Sequence, residues 1–597
     1  MKPYSLVSIR TIIAMLLTSL VFLYSCSKID GYENYDHPAV QSQDPGSTVI
    51  SSVAGFVTNE TDQPVAGATV QAGSGTTITD QYGYFEINNI EVTQNAAVVT
   101  VTENGYFKGI KTYIATADED AFFRIKLIPK TTAGTINGAA GGAVTVNNGL
   151  HISFMPNGII DAATGAAYTG TVNVAAFWIN PVASDLNRIM PGDLRGINAD
   201  GVTKGLTTYG MAAVELTGTN GELLQIAPGK KANLTMTIPA SILAYAPASI
   251  PLWYFDEKLG LWTEQGSAIK TGNTYSGDVS HFSFWNLDEP QPVVHFSCTV
   301  VDATGKPVKN ALIKISSVSN PNATGWGFTN GEGYAAGPVP ANTPLLLEVK
   351  GDEACGTPVY TQNFTTTNSN ISLGRITVNA SAGMATVAGT LTDCSDKPIS
   401  NGCVILQKNG EYYRYPVGVN GVYNFKTLLC NSTANVNLMA YDATTAQYSA
   451  AANYTLTIGK ITNVDLQACG GIGDGQYINY TINGLSHSFT SPAANFAPVT
   501  PGNNFLFAAS KSNNEEVSLQ FPAADVMNNS SRPLGFFLAN QINEALTMVS
   551  PVQVNITDHG SSTDAVLTGN FSGTFRGAAP NYKSYNISCS FSLRYQP

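Results

Sequence analysis

Charge is scarce in this sequence, and basic charge scarcer still. Only 12% of the 597 residues are charged, and 30 Lys and Arg face 42 Asp and Glu, a net charge of −12. A polyanion such as nucleic acid would be repelled, so nucleic-acid binding is excluded as a function class. Long apolar runs are absent after the first 25 residues, and with them any later membrane-spanning helix, which needs about 20 apolar residues. The six histidines, His37, His151, His281, His295, His487 and His559, stand singly. None has a Glu three residues on, and there is no HExxH, so no zinc-hydrolase spacing exists. GxSxG, P-loop and GxGxxG strings are missing too, as is an EF-hand loop. The carboxylates that do adjoin one another, Asp118-Glu119-Asp120, Asp256-Glu257 and Asp288-Glu289, read as strand ends pointing apart or into water, not as a glycosidase pair. No catalytic residue, metal ligand or cofactor site is expected.

One apolar run does occur. Lys2 and Arg10 flank the start of TIIAMLLTSLVFLY, which stops at Ser25-Cys26. This is the pattern of a signal peptide over 1–25, too short to span a membrane. The string LYSC resembles the lipobox of bacterial lipoproteins, which implies acylation of Cys26 and attachment of the mature chain to a membrane by its lipid. The polar stretch SKIDGYENYD that follows resembles the export signal of surface lipoproteins in the Bacteroidetes group, and 26–50 reads as a flexible tether. The implied location is the outer membrane or cell surface.

In the remaining chain, Gly, Thr, Ser, Asn, Tyr and Val are plentiful, as sheets joined by many turns require. Three segments share one pattern. The first is GFVTNETDQPVAGATV, then TITDQYGYFEI; the second is CTVVDATGKPVKNALIKI, then GFTNGEGYAAG; the third is GTLTDCSDKPISNGCVIL, then VGVNGVYNF. Pro64, Pro307 and Pro398 align. Gly67, Asn310 and Asn401 follow three residues later and tolerate a left-handed backbone. Strand, tight turn and strand are expected, with a second turn at Asp80, Asn330 and Asn420 before Gly83, Gly333 and Gly421. These segments resemble carboxypeptidase regulatory-like (transthyretin-like) domains, over 51–130, 292–380 and 381–470. The resemblance implies seven-stranded β-sandwiches that package or present other modules, and no peptidase activity. In the second, Ala335 replaces the aromatic seen at Phe85 and Tyr423.

Residues 131–291 alternate over short lengths between Gly, Asn and Pro turns, again a sandwich pattern. The segment resembles the ectodomain shared by cartilage intermediate layer proteins and astroprincins, with a ZU5-like front half. Its WYFDEKLGLW string concentrates aromatic area, and Trp253, Tyr254 and Trp262 are the candidate binding aromatics, against the alternative that they fill core. Residues 471–597 form a last β-rich unit, with only ASKSNNEEVSLQF open to a helical reading. The fold class is therefore all-β, tandem small sandwiches behind a lipoprotein signal peptide.

Eight cysteines in an exported chain suggest disulfides, with Cys26 reserved for lipid. Cys394, Cys403, Cys430 and Cys469 cluster in the third repeat and are expected to supply at least one bridge there; Cys298 and Cys355 form a second candidate pair. The expected function is a non-catalytic surface scaffold binding a glycan, protein or cell-surface partner. The alternatives are an accessory subunit that positions a hydrolase or an outer-membrane uptake complex, and an unrecognised hydrolase.

Overall fold

The computed structural model describes residues 47–594, apart from 118–119, 147–148, 321–322, 352–354, 379–382, 394, 445–446, 450, 469–476, 484, 491–492, 501–502, 513–514, 523–529, 540–541, 543–544, 560–565 and 579–581. Cys26, Cys394 and Cys469 lie outside the described residues. The fold is all-β: the described chain runs through 47 strands with a single four-residue helix, Leu186–Ile189, and a short 3-10 turn.

Each repeat builds two facing sheets by the same rule. In the first, Thr48–Thr58 is the centre of a three-stranded sheet, antiparallel to Tyr84–Thr93 and parallel to Asp120–Lys126. The strands Gly75–Ile78, Thr69–Ala72, Ala97–Thr102 and Gly109–Tyr113 make the opposing sheet of four. The second repeat follows the same order, with Val293–Asp302 between Tyr334–Pro340 and Ile371–Val378. In the third, Met384–Thr392 lies between Val422–Leu428 and the short strands Ile461–Asn463 and Leu466–Gln467. Alternation along these strands puts one side chain in two inward, giving a separate apolar core for each repeat.

The shared prolines all do one job: Pro64, Pro307 and Pro398 each form an isolated bridge back to the first strand, at Thr58, Val301 and Thr392. Two residues before each proline the backbone turns left-handed, at Asp62, Gly305 and Asp396. Five residues before it, Asn59, Asp302 and Asp393 accept two backbone N–H bonds through Oδ1, closing the loop. Of the residues expected to be left-handed after the proline, Gly67 and Asn310 are (φ +79° and +61°) and Asn401 is not. The second turn is likewise capped at Asp80 and Asn330, whose Oδ1 atoms accept from Tyr82, Tyr84, Glu332 and Tyr334. In the third repeat the equivalent residue is Gly418, not Asn420, because it is Gly418 N–H that bonds Val422 C=O as Asp80 N–H bonds Tyr84.

At Gly83, Gly333 and Gly421 (φ +72°, +73° and +70°) a Cβ would strike the carbonyl of Val57, Val300 or Leu391, on the first strand. Gly421→Ala should therefore cost more than the 1–2 kcal/mol of left-handed strain alone. Gly459 (φ +75°), where a Cβ meets open space, is the control. Equal midpoint shifts for the two alanine variants in urea denaturation would show that the close approach is unimportant.

Between the first two repeats, strands from Thr132–Asn137 to Phe284–Gln291 join into one 13-stranded sheet around its own core. The C-terminal unit has a seven-stranded and a four-stranded sheet. Its ambiguous stretch forms two antiparallel strands, Asn503–Ser512 and Glu515–Pro522.

Candidate functional site

WYFDEKLGLW forms a hairpin in which Ser249–Asp256 pairs with Leu261–Thr271, Phe255 opposite Trp262. Trp253 and Trp262 are fully buried and Tyr254 is 3% exposed, so none of the three candidate aromatics offers a platform to a ligand. The period of two explains why. Trp253, Phe255 and Trp262 point to one side, into a core shared with Phe107 and Ile110 of the first repeat. Tyr254 points to the other, against His281 and Trp285. The indole N–H groups are satisfied internally, Trp253 by Asp288 C=O and Trp262 by Asp193 C=O.

That shared core is the first of several seams between units. Across it, Lys111 Nζ of the first repeat donates to Asn187 and Met190 C=O at 2.7 Å, and Arg195 reaches back to Asn95 C=O at 2.6 Å. The central seam is built on Arg124. On its strand, DAFFRIK, Ala121, Phe123 and Ile125 turn to the first repeat's own core, and the Arg124 guanidinium projects from the other face with only 7% of the side chain exposed. There it pairs with Glu411 and donates to Tyr412 C=O (2.8 Å), both in the third repeat. Four rings surround it within 6 Å: Phe56 and Phe122 of its own repeat, Phe328 of the second and Tyr413 of the third. Glu411 is also held by Arg188 of the middle unit at 2.8 Å, and Lys126 bonds both Asp185 and Asp62. One guanidinium thus touches three repeats, and its counter-ion touches the fourth unit.

A second seam joins the first and third repeats through Asp80 and Arg414, with Tyr448 O–H on the same carboxylate and Arg414 lying over Tyr84 and Tyr441. A third joins the second and third repeats. Lys426 bonds Asp302, and the disulfide Cys355–Cys430 crosses between them. This bridge overturns the expected Cys298–Cys355 pair: Cys298 is a free buried thiol, and Cys430 leaves its own repeat to find Cys355, while Cys394 and Cys469 of the same cluster lie outside the described residues. Cys403 is also free and buried. Burial pushes the Cys298 thiol up to about 12 and that of Cys403 up to about 11, so neither is a nucleophile near neutral pH.

Burial raises the proton affinity of Asp302, but hydrogen bonds from Lys426, Thr304 and the Lys306 N–H outweigh it, holding the carboxyl well below the usual range. A depressed acid stabilises the fold above its unfolded pKa of about 3.9, and that contribution disappears as the pH falls towards its folded value. The acid limb of the stability curve below about pH 4 should accordingly be shallower in Asp302→Asn. Identical acid limbs in thermal melts of parent and variant would refute the assignment.

Two cavities open along the seams. One, about 250 Å³ and mainly apolar, lies where the first repeat and the middle unit meet the second repeat, lined by Phe122, Leu206, Trp326 and Pro338 among others. The other, about 360 Å³, lies between the first and third repeats beside the middle unit, with Phe56, Asp62, Tyr82, Arg188, Glu411 and Tyr412 in its wall. Among the described residues no three His, Cys, Asp or Glu side chains converge as a metal site would need.

Sequence reasoning overlooked Arg124, Arg188, Glu411, Tyr412 and Lys426. A signal existed for one of them: an arginine interrupting the aromatic and aliphatic run AFFRIKL is costly in a sandwich unless it is paired.

No family model matches the chain. It is 25% identical over 202 residues to cartilage intermediate layer protein 2 of Mus musculus, a stretch amounting to 32% of this chain and 17% of that protein. It therefore corresponds to a small part of that relative's length. Among solved structures, the streptococcal ancillary pilin is 10% identical with a TM-score of 0.14, over 38% of this chain and 95% of that one. The shaft pilin SpaA from Lactobacillus rhamnosus GG is 10% identical with a TM-score of 0.17 (30% and 96%). The Bacillus anthracis TIE protein is 12% identical with a TM-score of 0.14 (68% and 71%). At such scores these likenesses support no statement about the chain.

Proposed function

We propose that the chain is a non-catalytic scaffold of a bacterial envelope, held at the outer membrane or cell surface by lipid on Cys26, which presents β-modules to a glycan or envelope protein. The observation that carries this is the use made of its charges at the junction. Arg124, Arg188, Glu411, Asp80, Arg414, Asp302 and Lys426 are each engaged in pinning one module to another. Catalysis would need groups free to change protonation or to bind a substrate's reacting atoms. A pinned array suits display, because surfaces from different modules then hold fixed positions without an ordering cost on binding. The carboxypeptidase regulatory-like resemblance of the repeats is consistent with such packaging.

The test combines location with chemistry. Fatty-acid labelling of the parent but not of Cys26→Ala, with release of the variant from membranes, is the expected result. Purified mature protein should show no turnover of peptide or polysaccharide panels with or without zinc or calcium. Turnover abolished by a single acidic or histidine substitution would sink the scaffold reading.

A further inference from the structure

Resting on that reading, we infer that the 360 Å³ cleft between the first and third repeats binds a short stretch of neutral polysaccharide. Its wall joins two kinds of surface. Tyr82 and Tyr412, half-buried and with centroids 5.2 Å apart, come from different repeats and supply adjoining aromatic faces, against which the C–H face of a sugar ring can lie. Phe56 stacks behind Tyr412 and fixes it. Around these rings stand two carboxylates, Asp62 and Glu411, and two guanidiniums, Arg124 and Arg188.

The charges select for a neutral ligand. Arg188 already faces both carboxylates, at 3.5 Å from Asp62 and 2.8 Å from Glu411, and Arg124 faces Glu411. An anion or a cation would have to break a partly buried pair to bind, whereas a hydroxyl can donate to a carboxylate and accept from a guanidinium while both pairs stand. The net charge of −12 further disfavours acidic glycans. An added peptide strand is poorly served, because the Tyr412 carbonyl already accepts from Arg124. Asp62 is the most open of these groups, with 53% of its side chain exposed. Beside it, the exposed Gln63 and, from the middle unit, Ser184 form the solvent-facing rim.

The rim permits a test that leaves the seams alone. The parent, Ser184→Trp and Gln63→Trp are run in affinity electrophoresis through gels containing a mixed-linkage β-glucan, an arabinoxylan, an α-mannan or polygalacturonate, after melting curves establish that each is folded. At least one neutral polysaccharide should retard the parent, and either tryptophan should weaken that retention by about tenfold or more. Equal retention of both folded variants would overturn the inference, as would retardation by polygalacturonate alone or by nothing. Those failures leave the scaffold reading intact, since it falls only on turnover or on failure of fatty acid to label Cys26 in the parent.

Discussion

Arg124→Ala is expected to lower stability by about 3 kcal/mol and to separate the repeats before they unfold individually. The magnitude follows from removing one member of a buried pair, which typically costs 3–5 kcal/mol because the surviving charge is stranded. Here it falls at the low end, since Glu411 keeps Arg188. Added to it are four aromatic rings left facing a void where the guanidinium lay. The loss is one of docking, because Arg124 lies in no single core but between three. A pretransition in urea, seen by X-ray scattering as an increase in radius before strand signal is lost, is the signature. Arg124→Lys keeps the charge without the planar fork and should recover only part of the stability. A single cooperative transition at the parent's midpoint in Arg124→Ala would show that the seam carries no weight.

The second large effect concerns Cys355–Cys430, which closes a loop across 75 residues. Chain-entropy arguments assign a loop of that size about 4 kcal/mol, all of it through the unfolded chain. Because the bridge joins two repeats, its removal should uncouple them as well as weaken them. The double variant Cys355→Ser/Cys430→Ser is expected to unfold at lower urea, with the second and third repeats melting apart. Peptide mapping without reduction should find these two residues linked and Cys298 alkylatable only after unfolding. A Cys298–Cys355 peptide would overturn the connectivity.

The contrast between these sites and the rest shows what a sequence of this kind discloses. The all-β class is legible because alternation and turn chemistry are local: Pro64, Pro307 and Pro398 announce their bridges to a first strand six residues upstream. So is the aromatic density of WYFDEKLGLW, though not the hairpin it forms. Which way its tryptophans face is not, since both faces of that hairpin are covered, one by its own sheet and the other by the first repeat. Arg124 finds its partner 288 residues away, and Asp80 finds Arg414 at a separation of 334. No periodicity encodes such pairings. The partner of Cys430 is hidden for the same reason: clustering along the chain points to its own repeat, whereas the fold brings it against Cys355 of the neighbour, and a bridge between Cys394 and Cys469 falls outside the described residues.

The parallel pairing of first with last strand in every repeat gains a mechanical meaning under the proposed attachment at one end. Tension pulls the start of the first strand and the end of the last in opposite directions along their shared axis. The load falls in shear on all the bonds of the pair together, where an antiparallel pair pulled from adjoining ends would unzip one bond at a time. The first repeat meets that load with seven consecutive partners, Ser52–Thr58 against 120–126. The third has three at Thr386–Ala388 and two more at Leu391–Thr392. With the Cys355–Cys430 bridge reduced, so that tension passes through Met384–Thr392 instead of crossing directly from residue 355 to 430, single-molecule pulling should record rupture of the third repeat at a lower force than that of the first.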